Sequence, residues 1–123
     1  MIRGLGCDLC AIPRMEKIIG DARFLARYFT DAERIYIWDH VKSAQTAAGL
    51  FAAKEALLKA LGTGLGGLDL RAVEIAHTPL GAPEFVLNEA LLSALHAAKA
   101  QRVFLSISHD GDYAMATAVL EGD

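Results

Sequence analysis

Cysteine is scarce: Cys7 and Cys10 are the only two in 123 residues. Two cysteines cannot build a disulfide framework, and this usage fits a reducing, cytoplasmic compartment. A structural zinc site would need two more good ligands, and no second cysteine pair exists. The C-x-x-C spacing falls where the chain reads as the end of a strand. Residues three apart there point to opposite faces, whereas a redox pair sits at a helix N-terminus. The two cysteines therefore read as incidental. Long apolar runs are also missing. No stretch approaches the roughly 18 uninterrupted apolar residues of a membrane span, so no membrane contact is expected. The opening Met1-Ile2-Arg3-Gly4 leads straight into Gly6, Cys7 and Asp8 without an apolar core or cleavage site, so no signal peptide is expected. Positive charge is not in excess either. A formal charge of −3 argues against nucleic-acid binding by bulk electrostatics and still permits a local basic patch. With no internal repeat, low-complexity tract or dividing linker, residues 1–123 are expected to form a single domain.

What is present is apolar residue in slight surplus, 54% of the chain, which favours self-association. Ile2 to Leu9 reads as a strand and Ile12 to Gly20 as a short helix with Pro13 in its first turn. Thr30, with Glu33 three residues on, has the pattern of a capping box opening a helix to about Asp39. After a polar break at His40 to Lys42, Ser43 can cap a long helix ending at Leu61, with Gly62 suited to a left-handed C-terminal position. The period then shortens. Val73 to His77 and Glu84 to Leu87 read as strands around a turn at Leu80 to Pro83. Asn88 caps a helix to about Ala100, whose Leu91, Leu92 and Leu95 form an apolar stripe. Val103 to Ser108 and Tyr113 to Leu120 read as partner strands about an Asp110-Gly111-Asp112 turn. The pattern predicts an α+β fold, an antiparallel sheet packed on one long helix.

The chemistry concentrates in the long helix. Lys54, Glu55 and Lys59 interrupt an apolar run that stops at Gly62-Thr63-Gly64. Glu55 and Lys59 share a helical face, and the plain reading is an i,i+4 ion pair worth a few tenths of a kcal/mol. Asp8, closing the first strand among apolar neighbours, reads alone as a cap for the helix near Ile12. Together the two carboxylates suit magnesium, which takes one or two carboxylates and completes its shell with waters and phosphate oxygens. Lys59 can add a point charge to those phosphates, and the glycine turn can add backbone N–H groups. The turn follows a helix, so it is neither a P-loop nor a dinucleotide fingerprint. Ser106, Ser108 and His109 sit at the second-last strand. Without a G-x-S-x-G elbow, and with Ser108 and His109 on opposite faces, a hydrolase triad is disfavoured; His109 suits a phosphate contact or proton carrier. His40, His77 and His96 lack metal-ligand spacing. Arg14, Arg23 and Arg27 gather around the first helix, either as a solvated face or as a docking patch for an acidic partner.

These segments resemble one family. Gly4-Leu5-Gly6-Cys7-Asp8-Leu9 resembles the G-I-G-x-D opening of the holo-acyl-carrier-protein synthases, the small bacterial phosphopantetheinyl transferases. Phe51 to Gly64 resembles their F-A-A-K-E-A-x-x-K-A-x-G-T-G signature almost residue for residue. Leu105-Ser106-Ile107-Ser108-His109, followed by Tyr113-Ala114, resembles their closing V-S-I-S-H motif. The resemblance implies the family's fold and a homotrimer with active sites at subunit interfaces. It implies transfer of 4'-phosphopantetheine from coenzyme A to a serine of apo acyl carrier protein, releasing adenosine 3',5'-bisphosphate, in fatty acid biosynthesis. By position, Asp8 and Glu55 would hold magnesium, and Glu55, Lys59 and His109 would be catalytic. Lys59, Gly62, Thr63, Gly64, Pro83, Ser108 and His109 would bind coenzyme A. The proton acceptor is left among Glu55, a metal-bound water and His109. The carrier protein would dock near Arg14, Arg23 and Arg27. Leu50 and Ala82 stand where the family usually has basic residues.

Overall fold

The computed structural model describes residues 1–63 and 67–123. In chain order it runs β1 (Ile2–Ala11), α1 (Ile12–Ile18), α2 (Ala22–Tyr28), α3 (Asp31–Trp38) and α4 (Ser43–Leu61). A 3-10 turn at Leu70–Ala72 leads to β2 (Ile75–His77), β3 (Pro83–Phe85), α5 (Glu89–Ala97), β4 (Arg102–Asp110) and β5 (Tyr113–Glu121). β1, β5 and β4 form an antiparallel sheet in that order, and β2 pairs with β3 in a separate hairpin.

Local signals account for most boundaries. Thr30 accepts from the Glu33 amide while Glu33 accepts from the Thr30 amide, the reciprocal box expected at α3. Asn88 caps α5 through the Leu91 amide at 2.9 Å, and Gly62 ends α4 at φ 76°, where a side chain would be strained. Two readings change. Ser43 lies inside α4; Lys42 is the flanking residue, and no side chain caps that end. Helix α2 was not anticipated, although Asp21 caps it by accepting from the amides of Arg23 and Phe24.

Helix α4 lies across one face of the sheet. Its Ala47, Ala48, Ala52, Ala53, Ala56 and Leu57 are fully buried, with Ala114, Ala116, Ala118 and Leu120 of β5 in the same core. Small residues let the layers close tightly. A Cβ added to Gly6 would sit 1.9 Å from the Ala56 carbonyl oxygen, and one added to Gly4 2.1 Å from that of Ala60. Only glycine permits β1 this approach. The alternation of β1 then aims Gly4, Gly6, Asp8 and Cys10 toward α4, and Leu5, Cys7 and Leu9 away from it.

The sheet's other face carries exposed Leu5, Leu9, Phe104, Tyr113 and Met115. Register aligns Leu5 and Phe104 on either side of Val119, and Leu9 and Ser108 on either side of Met115. Cys7 is exposed and Cys10 buried, so the two cysteines do face apart.

Candidate functional site

The crossing of β1 over α4 gathers the charged residues. Lys59 donates to Asp8 Oδ1 at 2.9 Å and to the Cys7 carbonyl at 3.0 Å. It does not pair with Glu55: the helical i,i+4 bond gives way to a contact 51 residues apart in sequence. Asp8 in turn is no helix cap. Ala11 flanks α1, and no side chain caps it. The Asp8 bond holds the Lys59 pKa above its ordinary value. Glu55 is half-buried and makes no ion pair among the described residues. Its pKa is raised, chiefly by burial and then by the charge of Asp8, with Lys59 opposing. The two carboxylates are thus close enough to repel, and the charge of Lys59 opposes that repulsion.

Among the described residues no group of three or more His, Cys, Asp or Glu is placed to hold a metal. A hard cation that keeps waters and takes substrate oxygens asks for less, and two mutually repelling carboxylates fit that requirement. Gly62 and Thr63 are exposed just beyond α4, and Gly64 lies outside the described residues.

The other anticipated residues stand apart from this group. Pro83 and His109 line a cavity of about 300 Å³ with Tyr36, His40, Gly49 and His77, which does not include Asp8, Glu55 or Lys59. Ser108 sits on the outer sheet face, opposite Met115. Leu50 is 2% exposed, and Ala82 is exposed beside the positive-φ Gly81. Arg14, Arg23 and Arg27 are all exposed and form no ion pair among the described residues, but only Arg14 is on α1. Arg23 and Arg27 are one turn apart on α2.

Two features escaped the sequence reading. Lys54, beside Glu55, is fully buried and donates to Glu33 at 2.5 Å and to the carbonyls of Tyr28 and Leu70 at 2.7 and 3.0 Å. Glu33 also accepts from the Ile75 amide at 3.0 Å, so one pair ties α2, α3, α4, the 3-10 turn and β2 together. Burial pushes the Lys54 pKa down, against the Glu33 charge. A lysine among alanines in the middle of a helix was the available signal. The second feature is the Tyr36–His40–His77 stack, for which spacing along the chain gives no signal.

Paired carboxylates beside a lysine, carried on an antiparallel α+β fold, suit the handling of a phosphate. The family model of the 4'-phosphopantetheinyl transferase superfamily matches residues 4–118, and the chain belongs to that superfamily. A holo-[acyl-carrier-protein] synthase of Geotalea daltonii is 44% identical over 98% of this chain and 99% of its own. The crystal structure of holo-[acyl-carrier-protein] synthase from Neisseria meningitidis superposes with a TM-score of 0.89 at 35% identity, covering 98% of this chain and 99% of that one. That of the Bacillus anthracis synthase, in complex with coenzyme A (3',5'-ADP), gives 0.83 at 32% identity, covering 100% and 99%. No helix among the described residues is long and apolar enough to cross a membrane.

Proposed function

We propose that this chain is a cytoplasmic holo-[acyl-carrier-protein] synthase whose residues 1–123 act as one domain. It moves 4'-phosphopantetheine from coenzyme A to a serine of apo acyl carrier protein, a step that serves fatty acid biosynthesis. The observation that carries the reading is the meeting of Asp8, Glu55 and Lys59 where β1 crosses α4. Relatives named for this activity align over nearly the whole chain, which supports it.

Asp8 and Glu55 would hold Mg2+, which when bound supplies charge neutralisation at the coenzyme A diphosphate. The chain's own groups do the rest. Lys59 exchanges its bond to Asp8 for one to the diphosphate, whose negative charge then favours its protonated form as Asp8 does in the free protein. The carrier serine oxygen forms a bond to the β-phosphorus as the bond from that phosphorus to the bridging oxygen breaks. The departing oxygen leaves with adenosine 3',5'-bisphosphate. Of the chain's own groups, Glu55 and His109 are the candidate acceptors of the serine proton. Gly62, Thr63 and Gly64 would line the nucleotide's approach, with Pro83, Ser108 and His109 completing the coenzyme A site.

Since Ser108 lies on the outer sheet face and the other groups do not, a second copy seated on that face supports a site shared between subunits. The exposed row of Leu5, Leu9, Phe104, Tyr113 and Met115 is the surface it would cover, within a homotrimer. Arg14, Arg23 and Arg27 offer unpaired positive charge for an acidic carrier protein.

One assay tests the whole reading. The protein is incubated with coenzyme A, magnesium and apo acyl carrier protein, and the carrier is weighed. A gain of one phosphopantetheine mass is expected. Coenzyme A binding without that gain would make the chain a binding module, and release of free phosphate would make it a hydrolase.

A further inference from the structure

Lys54 and Glu55 are consecutive on α4, so their side chains leave the helix about 100° apart. Glu55 turns toward β1, where the charge of Asp8 reaches it. Lys54 turns into the molecule: it is 0% exposed, and its partner Glu33 is 1% exposed. The transfer reaction set out above uses Glu55 and gives the Lys54–Glu33 pair no part. Stability does not supply one either. Apolar residues of similar volume in place of a buried ion pair are often neutral or stabilising.

What the pair does supply is direction. A lysine ammonium has three N–H donors. Here they meet Glu33 Oε1 of α3 at 2.5 Å, the Tyr28 carbonyl of α2 at 2.7 Å and the Leu70 carbonyl of the 3-10 turn at 3.0 Å. Every donor has an acceptor, and each acceptor belongs to a different element. Glu33 is itself fixed, since Oε1 accepts from the Thr30 amide at 2.9 Å and Oε2 from the Ile75 amide at 3.0 Å. The rest of this part of α4 is buried largely through Ala52, Ala53, Ala56 and Ala60, short side chains whose apolar packing has no direction. Such contacts set how near α4 comes to β1 more firmly than how it is turned about its axis. A helix with its side chains is about 10–12 Å across, so a rotation of about 10° carries a side-chain tip by about 1 Å. Tyr28 passes the constraint on by a second route. Its ring meets that of Phe51 edge-on at 5.5 Å, and Phe51 lies one turn ahead of Glu55 on the same helical face.

We infer that Lys54 and Glu33 are positioning residues for Glu55: their pair sets the rotation of α4 and so keeps the Glu55 carboxylate beside Asp8, where the two can share a divalent cation. The inference rests on the reading of Asp8 and Glu55 as cation ligands, and names the groups that aim one of them. Removing bonds that orient a metal ligand costs about 10–100-fold in metal affinity or activity. That matches the rate lost when a reacting group moves by about 1 Å, about a hundredfold.

The Glu33→Gln/Lys54→Met double variant removes both charges and keeps side chains of similar length. It is compared with the parent in urea unfolding, which gives the folded fraction. Carrier mass gain at saturating coenzyme A and magnesium gives kcat and the KM for the carrier. Binding of Mn2+ in place of Mg2+, without carrier protein, is read from the loss of the free-ion signal in electron paramagnetic resonance. Per folded molecule, kcat and Mn2+ affinity are each expected to fall about 10–100-fold. The carrier KM is expected to stay within about twofold of the parent's. A pair that serves stability alone would lower the folded fraction and move none of these. Parent-like kcat and Mn2+ affinity in the folded double variant therefore overturn the inference. A risen carrier KM with kcat unchanged overturns it too, since the pair would then act on docking. Should the double variant not fold, Glu33→Gln alone leaves one acceptor between Lys54 and the Ile75 amide, and must show both losses in the same direction; parent values there overturn the inference. No mass gain with the unaltered protein overturns the transferase reading itself, a separate outcome, and Mn2+ binding then still decides the positioning.

Discussion

Gly6→Ala is expected to disable the site through the backbone, without touching any functional side chain. The new Cβ would lie 1.9 Å from the Ala56 carbonyl oxygen and 2.7 Å from the Ala60 amide nitrogen. Both are main-chain atoms inside α4 and cannot swing aside, so β1 must retreat by more than about 1 Å. Overpacking of this kind costs about 1–3 kcal/mol. For a domain of this size that lowers the melting temperature by about 4–15 °C. Asp8 is two residues further along the same strand face, so the retreat carries it away from Lys59 and Glu55. A displacement near 1 Å can cost about a hundredfold in rate. The assay pairs a thermal melt with the initial rate of carrier mass gain. Gly20→Ala is the control, since a Cβ there meets nothing within 4 Å. If Gly6→Ala melts within about 2 °C of the parent and transfers at the parent's rate, the argument from close approach is wrong.

Glu55→Gln should abolish transfer without loss of fold. Because burial and Asp8 raise the Glu55 pKa above its unfolded value, the ionised group opposes folding at pH values above that folded pKa, and stability is regained as pH falls through it. The variant should therefore melt no lower than the parent at pH 7.5, and a clear drop would refute this reading of the carboxylate. Lys54→Met leaves the Glu33 carboxylate buried and unpaired, a loss of about 3–5 kcal/mol in urea unfolding. Adding Glu33→Gln should recover part of it, and no recovery would show that the charge is not the cause. Leu5→Lys with Phe104→Lys puts two charges on the outer sheet face. Sedimentation velocity should then find the parent as the proposed trimer and the variant as monomer, and a variant that sediments as the parent does would mean that this face is not the seam.

The local code of the chain was readable where one residue answers another within a turn. The Thr30–Glu33 box, the Asn88 cap and the left-handed Gly62 are contacts of this kind, and they appear as expected. Helix α2 was missed because its signals are brief: one Asp21 cap and seven residues. The Ser43 cap failed because the serine took helical geometry one position inside the helix. The site was half legible. Asp8, Glu55 and Lys59 were marked, but the local rule would have paired Lys59 with Glu55, and the structure pairs it with Asp8.

By itself, then, the sequence determined the helices and strands other than α2, their antiparallel α+β pattern, and the three motifs that resemble one family. Each depends on periodicity or on neighbours along the chain. Tertiary structure alone decided that Lys54 turns inward to Glu33 while its neighbour Glu55 meets the charge of Asp8. It alone gathered Tyr36 of α3, His40 just beyond that helix, His77 of β2 and His109 of β4 onto one cavity. The physical reason is the same in each case. These contacts join elements that are separate along the chain, and Asp8 reaches Lys59 because glycines in β1 and alanines in α4 let the sheet and the long helix come within touching distance.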